Sequence, residues 1–168
     1  MDQCECGLRH DLVELDEIAG RTRFGVTAIA AQLVAEPDKA LLRPSPQRWS
    51  MLEYGAHVRD VLLTIRDRLV IGLVEDNPGF KSLWRDERVD LGLYRTDTSA
   101  EVVKELEAAS AMFLRLFAAI DPASLDREVQ YGYPNPTTRT LQWMGQQAVH
   151  EVEHHLGDIQ ENLALLSG

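Results

Sequence analysis

Apolar residues recur three and four apart in four long segments of the chain, and nowhere does a sustained apolar–polar alternation replace that spacing. The first segment spans residues 11–36, with Leu12, Leu15, Ala19, Val26, Ile29 and Leu33 on its inward side and Pro37 as its stop; Gly20 and Gly25 weaken it. The second opens at Ser50-Met51-Leu52-Glu53, a capping box, and runs to about Leu73 on a stripe of Met51, Tyr54, Val58, Val61, Leu62, Ile65 and Leu69. The third opens on a second capping box, Thr98 to Glu101, continues through Val102, Leu106, Ala109, Phe113, Leu116 and Phe117, and ends at Asp121-Pro122. The fourth starts near Thr140 and carries Leu141, Gly145, Ala148, Val152, Leu156, Ile159, Leu163 and Leu166 along one side. Four such helices predict an all-α fold, a four-helix bundle around one core in a single domain over residues 1–168.

Two connections, 75–97 and 122–139, exceed the roughly two to eight residues usual between bundle helices. Long ordered loops tend to carry function, so both are expected to cover or line a pocket. Arg139, Trp84 and Tyr131 are candidate pocket residues, with Arg85, Tyr94 and Tyr133 beside them. The formal charge of −10 and the absence of any longer basic block argue against a nucleic-acid binder. No run reaches the roughly 18 apolar residues of a membrane span, and the N-terminus lacks the pattern of a secretion signal, so a cytoplasmic protein is expected. Cys4 and Cys6 are too few and too close for a disulfide framework.

The densest chemistry is the run His150-Glu151-Val152-Glu153-His154-His155 in the fourth segment. Residues four apart sit one helical turn apart on one face, so His150 and His154 can share an ion. His57, in the second segment, is the long-range candidate for a third ligand. Three neutral imidazoles suit zinc, nickel, iron or copper and leave a position open. Glu53 and Asp60 flank His57 at helical spacing, and either is expected to accept its second ring N–H; Glu53 is equally explained by the cap. His155 projects toward the apolar stripe and reads as a hydrogen-bonded core histidine, His10 as a cap or surface residue. His150 to His154 also spells H-E-x-x-H, yet no histidine follows it except His155, which disfavours a zinc-protease mechanism. The helix phase likewise disfavours Glu151 or Glu153 as a hydrolytic base. Cys4-Glu5-Cys6 with His10 looks like half of a zinc knuckle, supplying three ligands at most.

The segments Trp49-Ser50-Met51-Leu52-Glu53-Tyr54-Gly55-Ala56-His57-Val58-Arg59-Asp60 and His150-Glu151-Val152-Glu153-His154-His155-Leu156-Gly157-Asp158-Ile159 together resemble the DinB-like (DinB/YfiT) metal-binding superfamily. The resemblance implies an up-down-down-up bundle with one divalent metal ion at one end, carried here by His57, His150 and His154. It is nearest the actinobacterial subgroup related to mycothiol-dependent enzymes. That implies zinc or nickel, with iron or manganese as alternatives, activating a low-molecular-weight thiol for S-transfer or isomerisation of an electrophilic substrate. The Cys-x-Cys spacing departs from the two intervening residues expected of such an N-terminal segment. The reading from another class is a non-catalytic metal-binding or stress-response bundle; metal-dependent hydrolysis ranks below both. A homodimer through the outer face of the bundle is compatible with either.

Overall fold

The computed structural model describes residues 4, 6–132, 135 and 137–168. Its frame is four long helices: α1 (Glu17–Ala35), α3 (Met51–Val74), α5 (Ser99–Ala119) and α6 (Leu141–Ser167). The two capping boxes form as expected. Ser50 Oγ accepts from the Glu53 N–H at 3.2 Å while Glu53 accepts from Ser50 N–H at 2.8 Å, and Thr98 and Glu101 repeat the exchange at 3.3 and 3.0 Å. Thr140 caps α6 through the Trp143 N–H at 3.1 Å.

Contacts along the helices fix their directions. Early in α3, Gly55 meets Val102 and Arg59 pairs with Glu105, both early in α5; past its end, Arg127 following α5 donates to the Gly72 carbonyl near the end of α3 at 2.8 Å. These two helices therefore run parallel. The start of α6, Leu141, packs on Gly72, while Asn162 near its end donates to the Trp49 carbonyl at 2.7 Å, so α6 opposes α3. Gly25 of α1 faces Val152, and Lys39 beyond α1 reaches Ser167 at 3.1 Å, so α1 runs with α6. The result is the up-down-down-up order. Ile18, Ile29, Leu33, Met51, Leu62, Ile65, Leu69, Leu106, Phe113, Leu141, Met144 and Ile159 are fully buried at its centre.

The first segment begins later than its pattern suggests. A 3-10 turn over His10–Leu12 precedes α1, so Leu12 and Leu15, expected inward, are exposed, and Val13 takes the buried place. Helical phase cannot be extrapolated across the irregular residues before Glu17.

The long connections hold their own structure. Pro37–Ala40 (α2) follows α1, and Arg85–Asp90 (α4) lies between α3 and α5. Gly79–Phe80 (β1), Glu128–Tyr131 (β2) and Thr137–Thr140 (β3) form a three-stranded sheet in that order, β1 parallel and β3 antiparallel to β2. This small sheet, absent from the all-α expectation, joins the two loops into one wall. Among the described residues no helix is long and apolar enough to cross a membrane.

Candidate metal centre and its cavity

α6 lies between α1 and α3 and turns a different row of side chains to each. Leu141, against Gly72, and Asn162, bonded to Trp49, mark the row that faces α3. Glu151 and His155 lie on this side and meet His57 of α3. Glu151 Oε2 stands 3.4 Å from His57 Nε2 and 3.4 Å from His155 Nε2, and the two imidazoles cross edge to face with centroids 4.8 Å apart.

Neighbouring groups fix the orientation of this trio. His155 Nδ1–H donates to Asp158 Oδ2 at 2.8 Å, which leaves the lone pair of Nε2 directed at Glu151. Gln147 donates to Glu151 Oε1 at 2.6 Å and in turn accepts from His10 Nε2–H at 2.7 Å. The ring of Trp49 packs beside His57 and His155.

The donor set fits a small divalent ion. Bonds of about 2.0–2.1 Å to nitrogen and oxygen at tetrahedral angles place neighbouring donors roughly 3.3–3.4 Å apart. Both separations from Glu151 Oε2 are 3.4 Å; the one to His57 Nε2 is a long hydrogen bond, while His155 Nε2 has no hydrogen-bond partner. Burial pushes the His57 pKa down, favouring the neutral ligand form. Burial opposes the charge on Glu151, yet the two histidines hold its carboxyl well below the usual range. Burial also works against a charge on His155, but Asp158 and Glu151 outweigh it and raise its pKa. A largely buried carboxylate at a cavity wall is stabilised by a positive partner, and a divalent ion supplies one.

His150 and His154 gather elsewhere. Their rings lie 5.4 Å apart, Cys4 Sγ is 3.7 Å from His154 Nδ1, and with Cys6 these four residues bring their donor atoms within 4.8 Å of one another. The expected trio of His57, His150 and His154 is thus split between two groups. Glu151 and His155 share the i,i+4 spacing of His150 and His154 but are rotated by about 100°, and that rotation points them at α3.

The other sequence candidates also find definite places. Glu53 is held by the α3 cap and by Arg43, and Asp60 accepts from Arg59 at 2.9 Å, Arg88 at 2.7 Å and Tyr94 at 2.9 Å; His57 Nδ1 has no hydrogen-bond partner from either. Their expected support of His57 is replaced by these bonds. Tyr94 is buried there, away from the cavity. Glu153 pairs with Arg21 of α1 at 2.8 Å.

A cavity of about 410 Å³ opens beside the trio. His57, His150, Glu151, Gln147, His10 and Cys4 form one side; Val61, Ile65, Tyr131 and Trp143 give apolar surface; Arg68, Arg85 and Arg139 add three guanidinium groups. The two long connections line it, as expected. Tyr131 and Arg139 are among its walls, whereas Trp84, in left-handed backbone with φ 56°, is 57% exposed and leaves the lining to Leu83 and Arg85. Tyr133 lies outside the described residues. Sequence reading gave Glu151, His155 and His10 other roles and passed over Gln147; His155 is buried and hydrogen-bonded as expected, and it also meets Glu151. His10 is buried against Trp143 at 5.1 Å, not at the surface. Glu151 lines the cavity, contrary to the phase argument. The available signal was Asp158, three residues after His155, at the spacing of a helical hydrogen-bond partner.

The family model of the DinB superfamily matches residues 22–159. The chain belongs to the DinB superfamily. Among solved structures, this DinB protein is similar to YfiT from Bacillus subtilis, described as a probable metal-dependent hydrolase with an unusual four-helix bundle topology. The TM-score is 0.80 at 14% identity, over 91% of this chain and 87% of that one. It is also similar to the mycothiol-dependent maleylpyruvate isomerase, solved both as such and as a histidine-to-alanine mutant, with a TM-score of 0.67 at 20% identity over 89% of this chain. The chain spans 62% of the isomerase's length. Curated proteins give no match. At these identities the structural likeness establishes the fold, and the site must be argued from its own residues.

Proposed function

We propose that this DinB protein is a metal- and thiol-dependent enzyme in which His57, Glu151 and His155 hold one divalent ion, zinc or nickel, at the edge of the cavity. The observation that carries the reading is the placement of Glu151 Oε2 at 3.4 Å from two imidazole nitrogens, with Asp158 backing one of them. Three protein donors leave a position for an exchangeable ligand, as catalytic sites do, and His57 and Glu151 line the cavity from which it would come.

Such an ion, when bound, stabilises a coordinated thiol as thiolate near neutral pH. The chain's residues supply the rest. Asp158 keeps the His155 proton on Nδ1, and Gln147 turns the Glu151 carboxylate so that Oε2 faces the histidines. Val61, Ile65, Tyr131 and Trp143 exclude water from the apolar part of a substrate. Arg68, Arg85 and Arg139 face a single carboxylate, Glu151, among the described lining residues, so the cavity suits an anionic thiol or an anionic electrophile. The reaction class is S-transfer or isomerisation through the thiol adduct.

Metal analysis and cobalt spectra test this. The wild type should carry an ion that His57→Ala and Glu151→Gln lose, and added thiol should raise a sulfur-to-cobalt charge-transfer increment that both variants lack. An ion that binds but ignores thiol would refute the thiol chemistry and favour metal-dependent hydrolysis. Equal metal content in all three proteins would overturn the ligand assignment.

A further inference from the structure

The second donor cluster, beside the middle of α6, supplies no ligand to that ion. Cys4 and Cys6 come from the segment before α1, and His150 and His154 from successive turns of α6. We propose that these four side chains form a second, thiolate-containing metal site of the Cys2His2 type, taking zinc or a similarly soft divalent ion, which clamps the N-terminal segment against α6.

The geometry and the surroundings of the four side chains agree. All four donor atoms lie within 4.8 Å of one another. A tetrahedral ion with bonds of about 2.3 Å to sulfur and 2.05 Å to nitrogen separates those donors by about 3.6 Å, and Cys4 Sγ lies 3.7 Å from His154 Nδ1. His150 has both ring nitrogens buried without a hydrogen-bond partner, a costly state for a polar side chain unless one nitrogen has a ligand. His154 turns Nδ1 to Cys4 and Nε2 to within 3.5 Å of Asp158 Oδ2, so a carboxylate stands behind a histidine here as at the first site. In addition, the Cys6 backbone N–H points at Cys4 Sγ from 3.5 Å, the direction that supports a thiolate.

The donor chemistry also separates the two sites. His57, Glu151 and His155 offer two nitrogens and one oxygen with a position left over, whereas two sulfurs and two nitrogens complete a tetrahedral shell. A closed shell is structural. Binding to the two thiols releases their protons to solvent with no change of oxidation state. Cys4 and His10 both line the cavity, so the clamp would fix one of its walls.

The full-length protein, purified with zinc, should hold two equivalents per chain. Cys4→Ser/Cys6→Ser should hold one fewer and His57→Ala should keep the thiolate-bound one. In cobalt-loaded wild type a sulfur-to-cobalt charge-transfer band should be present before any thiol is added, persist in His57→Ala and vanish in the double serine variant. Should that variant not fold, the wild type itself decides: the thiol reagent DTNB should react at least tenfold more slowly with zinc-loaded protein than after EDTA. A double serine variant with undiminished metal, cobalt-loaded wild type without the band, or thiols that react equally fast with and without EDTA would overturn the site. Loss of the His57-dependent ion alone would defeat the proposed function and leave this clamp standing.

Discussion

Asp158 serves both halves of the histidine run. Its Oδ2 accepts from His155 Nδ1 at 2.8 Å and stands 3.5 Å from His154 Nε2; burial pushes its pKa up, but these histidines hold it below the ordinary value. Asp158→Ala should lower zinc affinity by about 10- to 100-fold at the first site, read by competition with a chromophoric chelator; an unchanged affinity would remove Asp158 from the centre. Glu53 gives a pH-dependent prediction. Burial raises its pKa, but the Arg43 guanidinium and the Ser50 N–H outweigh burial and leave it depressed. A depressed carboxylate contributes stability fully above its unfolded value of about 4.3, and that contribution disappears as the pH falls through the folded value. Glu53→Gln, which can keep the cap, should therefore melt roughly 2 °C below wild type at pH 7, with the gap closing under acid. A gap that persists in acid would mean that the glutamine disrupts the cap itself. At this scale the sequence was half legible: the two i,i+4 pairs, His150 with His154 and Glu151 with His155, are indistinguishable by spacing. Only the packing of α6 on α3 decides which pair meets His57.

Between elements, the α1–α6 contact depends on a missing side chain. A Cβ on Gly25 would collide with Val152 of α6, whereas one on Gly20 meets open space. Sequence reading takes both glycines as weak points of one helix, and packing separates them. Gly25→Ala should cost roughly 1–3 kcal/mol through overpacking, while Gly20→Ala should stabilise by up to about 1 kcal/mol through helix propensity. Denaturant melts measure both, and a neutral Gly25→Ala would show that α1 can draw away from α6 at little cost. The helices themselves were legible because each presents several turns of apolar spacing and three have a side-chain cap. The sheet was not, since strands of two and four residues are too short for a period to emerge. Its pairing is set by contacts between two loops that lie far apart in the chain.

On the scale of the whole molecule, charge and cavity pull in opposite directions. The chain carries a net −10, which repels anions at a distance, yet its cavity presents Arg68, Arg85 and Arg139 against the single carboxylate of Glu151 among the described lining residues. Two of the three are braced by rings: Arg68 lies over Phe80 and Tyr131 at 5.4 and 5.3 Å, and Arg139 over Trp143 at 5.0 Å, while Arg85 pairs with Asp86 at 3.4 Å. Such stacking keeps guanidinium groups at the wall of a partly apolar pocket, where their attraction is screened less than at the surface. A pair of probes isolates the effect, because 3-mercaptopropionate and 2-mercaptoethanol offer the same thiol with and without a carboxylate. Titrated into the cobalt-loaded protein at low salt, the anionic thiol should bind about tenfold tighter, a difference of about 1.4 kcal/mol. Arg139→Gln should shrink that preference and leave the neutral thiol unaffected. Added salt should weaken the anionic probe less than it would a surface ion pair, since the site lies inside the Debye layer of its own walls. Equal affinities for the two thiols would assign the arginines to holding the loops together and place substrate selection in the apolar residues instead.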